Sequence, residues 1–248
     1  MLVDRPSTDF GTPDLENLDL REQLVNQRQR GSIQTVSIPL VRVTRLHGIM
    51  LDFDPDLYDK ENPLFEASDD PQTFYDSIRP LLDRHPLARH AEVRSSGRGL
   101  HVLIWLEPCV ELYSDNDQLR WDALVKVVQR SLPVDPAMPG ITAMTRPLGS
   151  INSKNGKEVV CLREGETVPP EAVESFARTL AEKPFLTLTS IHFGQARIAP
   201  CPVCLGKNST FTAKEKIGLC YGKCKKVGLS KLMDLPFKTP DSPGKASK

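Results

Sequence analysis

The alternation of hydrophobic and polar positions predicts a chain of mixed strands and helices. Short apolar or alternating runs predict strands at Gln34–Val43, Gly48–Phe53, Ala91–Arg94, Leu100–Leu106 and Glu158–Leu162. Helical spacing and start signals predict helices at Asp19–Arg30, Pro71–His85 and Asp117–Leu132, with Asp117 as a cap, and one opened by Pro169 and Pro170 that ends near Glu182. Because strands and helices alternate irregularly, the pattern favours an α+β fold over a doubly wound one.

The segments between these elements divide the chain. Residues 1–18 lack periodicity and are expected to form a flexible arm, and residues 236–248 are expected to be disordered. A boundary near Lys183 separates a larger domain, residues 19–184, from a cysteine-containing module, residues 185–235. Residues 133–157, punctuated by Pro and Gly, form a connection too long to be idle in a compact domain.

Composition limits the class of protein. The 248 residues, 39% of them hydrophobic, suffice for one moderate domain and a small appendage. The sequence has no secretory signal and no apolar run of membrane-span length. We therefore expect a cytoplasmic protein without a membrane partner.

Charge is unevenly distributed, although the net charge is zero. Residues 1–83 contain 16 acidic and 8 basic residues, whereas residues 201–248 contain 10 lysines and 3 acidic residues. The asymmetry indicates either a polyanionic partner for the C-terminal module or a solubilising basic tail.

Two carboxylates, Asp52 and Asp54, lie at the C-terminal end of the apolar run that begins at Gly48. Because side chains alternate along a strand, both are expected on one face, about 7 Å apart. Two hard oxygen ligands at that spacing suit Mg²⁺ or Mn²⁺. An ordinary acidic loop after a strand is the alternative interpretation.

A glycine-flanked arginine follows in the turn Ser95–His101, with the sequence SSGRGLH. The glycines let the backbone turn tightly, Arg98 can bind phosphate oxygens, and the hydroxyls of Ser95 and Ser96 can donate hydrogen bonds. His101 opens an apolar strand and needs a polar partner if it is buried. The turn suits a triphosphate, and a hairpin turn with a core histidine is the alternative.

The long connection contains a third carboxylate, Asp135, and two positively charged side chains, Arg146 and Lys154. These residue types would complete a metal site and neutralise phosphate charge. A surface loop is the alternative interpretation.

In this order the segments resemble the archaeo-eukaryotic primase superfamily over about residues 45–160. That family carries an hhhDhD motif (h, hydrophobic), an S-G-x-G-x-H-type motif entering a strand and an h-D motif, followed in many members by R-x-x-G-S/T-x-N-x-K. The chain has IMLDFD, SSGRGLHVLIW, PVD and RPLGSINSK. The resemblance implies an α+β fold: an RRM-like primase palm with an N-terminal α/β unit, followed by a small zinc ribbon.

The resemblance also implies roles for the matching residues. The ligands of catalytic Mg²⁺ or Mn²⁺ would be Asp52, Asp54 and Asp135, with Asp135 on a strand beside the first pair. The triphosphate contacts would be Ser96, Arg98 and His101, to which the chemistry of the turn adds Ser95. Arg146 and Lys154 would be further nucleotide or template contacts. Gly99 departs from the pattern, because many members carry Ser or Thr there, so a hydroxyl contact would have to come from Ser96 or be replaced by a main-chain N–H.

The cysteine module carries the most specific single motif. Cys201-x2-Cys204 and Cys220-x3-Cys224, fifteen residues apart, have the spacing of a structural Zn²⁺ ribbon. Its sequence also resembles the zinc ribbons of bacterial-type primases, which contact single-stranded template. Phosphate contacts are expected from Lys223, Lys225, Lys226 and Lys231, and stacking from Phe211 or Tyr221. A ribbon that only stabilises the domain or binds a protein partner is the alternative.

Two further cysteines lie outside this motif. Cys109 and Cys161 sit within or beside apolar stretches and are expected to be buried packing residues.

These observations predict a DNA primase–polymerase that transfers nucleotides by a two-metal mechanism. The expected partners are a single-stranded DNA template and NTP or dNTP, with a replicative helicase as a further candidate. The leading alternative is a non-catalytic zinc-ribbon replication initiator with a degenerate primase domain, and the next is a metal-dependent nuclease. A zinc-ribbon transcription factor would leave residues 45–160 unexplained.

Overall fold

The computed structural model of the protein describes residues 3–4, 40–57, 68–153, 155–195, 197–198, 201–204 and 210–228. The predicted helix Asp19–Arg30, most of the predicted strand Gln34–Val43 and the C-terminal tail lie outside these residues, as do Lys154 and Lys231. None of the helices formed by the described residues is both long and apolar enough to cross a membrane.

A six-stranded sheet forms the centre of the larger domain. Its strands are β1 (Val3–Asp4), β2 (Arg45–Phe53), β3 (Glu92–Ser95), β4 (Leu100–Glu111), β5 (Cys161–Arg163) and β6 (Thr167–Val168). Their order is β1-β2-β4-β3-β5 with antiparallel neighbours, and β6 pairs in parallel with β4. The strands predicted at 48–53, 91–94 and 100–106 are confirmed, and β1 lies within the segment expected to be an arm.

The pleat of β2, β3 and β4 separates a buried row from a polar row. Leu51, Val102 and Val93 are in register across the three strands and are fully buried. The next position on each strand faces the opposite side of the sheet. These polar positions are Asp52, His101 and Arg94.

The described residues of the larger domain also form four α-helices: α1 (Pro71–Arg84), α2 (Asp115–Arg130), α3 (Pro170–Glu182) and α4 (Pro184–Phe193). Helix α1 is capped by the carboxylate of Asp70, which accepts the Thr73 N–H at 2.9 Å. The helices α1 and α3 begin and end within a residue of their predicted positions.

Helix α2 begins at Asp115, earlier than predicted, because Ser114 rather than Asp117 is its N-cap. The Ser114 hydroxyl accepts the Asp117 N–H at 3.2 Å and donates to the Asp117 carboxylate at 2.8 Å. Asp117 therefore lies in the first turn, where a carboxylate also interacts favourably with the helix dipole.

Three further predictions are wrong in detail. Leu40–Arg42 form a 3₁₀ turn rather than the end of a strand, and the strand predicted at Glu158–Leu162 lies at Cys161–Arg163. Cys161 is exposed because β5 is the last strand of the sheet order, and Cys109 is only partly buried. Neither cysteine is the buried packing residue expected.

A second, antiparallel sheet forms the cysteine module. Its order is β10-β9-β8-β7, and its strands are β7 (Arg197–Ile198), β8 (Phe211–Ala213), β9 (Gly218–Cys220) and β10 (Lys225–Val227). A small core of its own packs between this sheet and α4.

Helix α4 belongs to both cores. Phe185 and Leu188 pack in the cluster that contains Cys201 and Cys220, whereas Ile191 packs in the core of the larger domain. The helix contacts α1, α3 and β8. The boundary predicted near Lys183 thus falls at the start of a helix that the two parts share.

Candidate functional site

Three polar residues lie side by side across the central strands. His101 on β4 pairs in register with Asp52 on β2 and with Arg94 on β3. Directly opposed side chains on one face of an antiparallel pair lie about 5 Å apart at Cβ. The face opposite the fully buried row therefore presents a carboxylate, an imidazole and a guanidinium in sequence.

His101 is a buried, neutral histidine with a defined partner. Its ring is 4% exposed, and its Nδ1 lies 2.8 Å from the hydroxyl oxygen of Thr145. Burial, reinforced by the positive charges of Arg146 and Arg94, lowers the pKa of His101 to about 3. At neutral pH the imidazole is uncharged, so it retains one N–H donor and one acceptor nitrogen.

The segment that carries the third predicted carboxylate contacts the end of β2 through the main chain. The main-chain N–H of Asp135 donates to the carbonyl oxygen of Asp52 at 2.9 Å. Asp135 lies in a turn rather than on the strand that the resemblance implies. The Asp135 segment nevertheless contacts the end of β2 through this hydrogen bond.

Side chains from α2 hold the segment that carries Asp135. Gln129 donates to the carbonyls of Met50 and Pro139, at 3.2 and 2.9 Å, and so ties the segment to β2. Asp122 accepts the main-chain N–H of Ile141 at 3.0 Å. Buried and partly buried hydrogen bonds thus hold the first part of the long connection, residues 133–157, against α2 and β2.

The three carboxylates provide the donor set for a divalent cation but are not gathered around one point. Asp54 follows the last residue of β2, and its Oδ1 accepts the N–H of Asp56 at 2.9 Å, while Oδ1 of Asp135 accepts the N–H of Ala137 at 2.8 Å. Among the described residues, only the four cysteines form a set with all ligand atoms within 4.8 Å of one another. Carboxylate oxygens are the ligands that Mg²⁺ and Mn²⁺ prefer, so the chemistry of the three side chains fits these ions.

The turn after β3 is clamped by the segment that carries Arg146. Nη1 of Arg146 donates to the carbonyl oxygen of Ser96 at 3.2 Å, and Nδ2 of Asn152 donates to the same oxygen at 2.6 Å. Gly97 has φ of 123°, and a Cβ there would lie 2.3 Å from the Asn152 side chain. A Cβ on Gly99 would lie 2.5 Å from the carbonyl oxygen of Phe53, so both glycines allow close packing.

Two of the predicted phosphate contacts are engaged within the protein. The Ser95 hydroxyl is buried, donates to the Glu158 carbonyl at 3.3 Å and accepts the Val160 N–H at 3.0 Å. The Ser95 hydroxyl thus ties β3 to the residues just before β5. This role differs from the triphosphate contact that the sequence predicted. Of the two turn serines, only Ser96 remains placed for that contact.

Arg98 is held by two carboxylates. Its guanidinium makes a two-point contact with Asp56, at 2.8 and 2.9 Å, and contacts Asp69 at 2.7 and 2.9 Å. These ion pairs raise the pKa of Arg98. A phosphate would have to compete with both carboxylates for this side chain.

Sequence reasoning missed three residues of this site: Arg94, Thr145 and Asn152. Arg94 was detectable, because a four-residue turn at 96–99 pairs residue 95 with 100 and therefore 94 with 101. Asn152 was also detectable, because it is the asparagine of the RPLGSINSK motif, although no role was assigned to it. Thr145 acts through a contact between segments distant in the chain, for which no local pattern exists.

The four cysteines converge as their spacing predicted. The Sγ atoms of Cys204 and Cys220 are 3.8 Å apart, and the Gly222 N–H donates to Cys220 Sγ at 3.3 Å. Burial, opposed by main-chain N–H groups but reinforced by the neighbouring thiols, raises the pKa of Cys201 to about 12. The four sulfur atoms all lie within 4.8 Å of one another, a donor set that fits Zn²⁺, which would bind all four cysteines as thiolates.

The ribbon presents exposed lysines for an anionic partner. Lys223, Lys225 and Lys226 are exposed, and Tyr221 beside them is 68% exposed. Phe211, the other predicted stacking residue, is fully buried in the ribbon core and is excluded from that role. Lys225 has φ of 56°, in the left-handed region that a non-glycine residue rarely adopts.

Comparisons with known proteins add one likeness. No protein-family model and no curated protein matches the chain. Among solved structures, the AEP domain of the primase–polymerase (PrimPol) of cyanophage S-2L is similar, with 13% identity and a TM-score of 0.40. The alignment covers 56% of this chain and 64% of that domain, less than two thirds of its length.

Proposed function

We propose that the protein is a template-directed primase–polymerase that transfers nucleotides at the edge of the central sheet where β2 ends. The observation that carries the proposal is the contact of the Asp135 segment with Asp52, next to His101 and the clamped turn. Carboxylates, a neutral imidazole and a glycine-bracketed arginine at one place are the groups a metal-dependent phosphoryl transfer requires.

The carboxylates would hold the metals. Asp52, Asp54 and Asp135 would supply oxygen ligands from two segments, and the main-chain bond keeps those segments adjacent. Bound divalent ions would lower the pKa of the attacking 3′-hydroxyl and offset the charge that develops on the departing pyrophosphate. The residues themselves would orient the two reacting oxygens.

The nucleotide would lie over the turn. His101 is fixed by Thr145 and stays neutral, so it would act as a hydrogen-bonding group toward a phosphate rather than as a charge. Ser96 and Arg98 would bind the triphosphate, and Arg146 would support the turn through the Ser96 carbonyl. Lys154 would add a further contact from outside the described residues.

The ribbon would bind the template. A Zn²⁺ ion held by the four cysteines would fix a fold that exposes Tyr221 for base stacking and the neighbouring lysines for phosphate contacts. The proposed phosphate contacts are Lys223, Lys225, Lys226 and Lys231, the last outside the described residues. Rigid attachment through α4 would keep the ribbon in a fixed position relative to the sheet.

A primer-extension assay tests the proposal. Wild-type protein with Mn²⁺ or Mg²⁺ should extend a primed template, and the variant Asp52→Ala with Asp54→Ala should lose incorporation while keeping its circular dichroism. The matched control is Asp76→Ala, on the exposed face of α1. DNA binding without incorporation by wild type would favour the non-catalytic initiator, and strand cleavage without nucleotide would favour the nuclease.

A further inference from the structure

Arg94 is held on three sides next to His101. Its side chain is 11% exposed, and its Nε donates to a carboxylate oxygen of Glu92. Its Nη1 donates to the carbonyl oxygen of Arg146 at 3.3 Å, and its guanidinium carbon lies 5.8 Å from the centre of the Trp105 ring. An almost buried guanidinium with an oriented partner on each side has a single geometry.

The partner of Arg94 is itself fixed. The indole N–H of Trp105 donates to the second carboxylate oxygen of Glu92 at 2.8 Å, and the Glu92 side chain is 13% exposed. Both carboxylate oxygens are therefore engaged, one by the indole and one by the arginine. Trp105 holds Glu92, and Glu92 holds Arg94, in a relay on the polar face of β3 and β4.

Arg94 holds the main chain at Arg146, and the side chains of Arg146 and of its neighbour Thr145 contact the Ser96 turn and His101. The carbonyl it binds belongs to Arg146, whose own side chain donates to the Ser96 carbonyl at 3.2 Å. The preceding residue, Thr145, supplies the hydroxyl 2.8 Å from Nδ1 of His101. Displacement of this one peptide would move both the support of the turn and the partner of the imidazole.

We propose that Arg94 is a positioning residue that sets the nucleotide-binding geometry of His101 and the Ser96 turn through the main chain at Thr145 and Arg146. The proposal rests on the proposed function, because it assigns Arg94 to the triphosphate side of that site. A lysine at this position carries the charge but cannot donate to Glu92 and to the Arg146 carbonyl in the same fork geometry. A positive charge alone is therefore insufficient to hold the Arg146 carbonyl in this position.

The kinetic test compares Arg94→Lys with wild type and with Arg79→Lys, an exposed control on α1. Arg94→Lys should raise the KM for nucleotide about ten- to hundredfold, as expected for loss of an oriented charged hydrogen bond. The kcat should change less than about threefold, since the metal ligands are untouched. An unchanged KM, or a loss confined to kcat, would overturn the proposal.

A second variant guards against misfolding of Arg94→Lys. Trp105→Phe keeps an aromatic ring under the guanidinium but removes the N–H that holds Glu92, so the KM should rise by a smaller factor, about two- to fivefold. Wild-type KM in a folded Trp105→Phe would contradict the relay from Trp105 to Arg94.

A spectroscopic readout separates failure of this proposal from failure of the proposed function. In long-range ¹H–¹⁵N spectra, wild-type His101 should show one neutral tautomer, and Arg94→Lys should show shifted or exchange-broadened ring signals. If wild type incorporates no nucleotide, the polymerase assignment fails while this readout still decides the role of Arg94. Identical His101 signals in both proteins would refute the positioning role whatever the activity.

Discussion

The main-chain N–H of Asp135 donates a 2.9 Å hydrogen bond to the carbonyl oxygen of Asp52. The bond joins two motifs from distant parts of the chain, and it involves neither carboxylate. The Asp135 carboxylate also accepts the Ala137 N–H at 2.8 Å, so circular dichroism of each carboxylate variant is needed to separate loss of chemistry from loss of fold.

The carboxylates that hold Arg98 should limit nucleotide affinity. Replacement of Asp56 and Asp69 together by Asn removes the ion pairs of an exposed arginine and leaves it available to phosphate. We expect the nucleotide KM to fall about two- to fivefold, a modest change because exposed ion pairs are weak. Steady-state extension kinetics, with Asp76→Asn as control, measure it, and a raised KM would show that the carboxylates assist binding.

Two buried histidines share Ser131 as a partner. Nε2 of His85 lies 3.0 Å from the Ser131 hydroxyl, while Nδ1 of His85 accepts the N–H groups of Leu87 and Ala88. Nε2 of His192 lies 2.9 Å from the Ser131 carbonyl oxygen and donates to it. Because Nδ1 of His85 accepts two N–H groups, the His85 ring is neutral, and burial favours the neutral ring of His192.

Stability should fall when the pH drops below about 6.5. Burial, with the charge of His192, lowers the pKa of His85 to about 3, and burial, with the charge of Arg84 and against a favourable bond to Ser131, lowers the pKa of His192 to about 4. The unfolded chain takes up protons near pH 6.5 and the folded chain does not, so the free energy of unfolding decreases toward acid by up to about 1.4 kcal/mol per pH unit for each histidine.

Urea unfolding between pH 7 and 5 measures this effect. His192→Gln should show a smaller loss of stability over the interval than wild type, because one of the three buried histidines whose pKa is lowered (His85, His101 and His192) is gone. Comparison of the two proteins cancels contributions that they share, such as that of His101. Equal pH dependence in both would contradict the neutral-histidine interpretation.

Local patterns predicted most of the central sheet and two helices. Strands β2, β3 and β4 follow the hydrophobic alternation, and α1 and α3 begin at Pro residues with apolar positions at helical spacing. The errors came from choices between neighbouring signals: Ser114 and Asp117 are both capable N-caps, and Cys161 has apolar neighbours although its strand is the last in the sheet order.

The chemistry of the site was predictable in type but not in arrangement. Asp52, His101 and the turn were identified from motifs, and antiparallel pairing brings them together. The engagement of Ser95 with Glu158 and of Arg98 with Asp56 depends on packing between segments far apart in sequence. Such contacts follow from the assembled fold and leave no periodicity to detect.

Removal of the ribbon metal should destabilise the larger domain as well. Phe185 and Leu188 lose the ordered cysteine core they pack against, and the same helix carries Ile191 and His192 into the other core. A chelator should lower the melting temperature by about 5–15 °C and reduce helical circular dichroism.

Cysteine variants provide the matched comparison for metal removal. Cys220→Ser should reproduce the effect of the chelator without further response to it, whereas Cys109→Ser, outside the ribbon, should behave as wild type. Retention of the wild-type melting temperature in Cys220→Ser would show that α4 does not transmit the loss.

Mn²⁺ binding by the zinc-loaded protein, measured by electron paramagnetic resonance without nucleotide, tests the three-carboxylate site most directly. The comparison is wild type, Asp135→Asn and the exposed control Asp76→Asn, whose side chain bonds only locally to Gln72. The account predicts at least about tenfold weaker Mn²⁺ binding in Asp135→Asn, with the control unchanged. Equal Mn²⁺ affinity in wild type and a folded Asp135→Asn would contradict it.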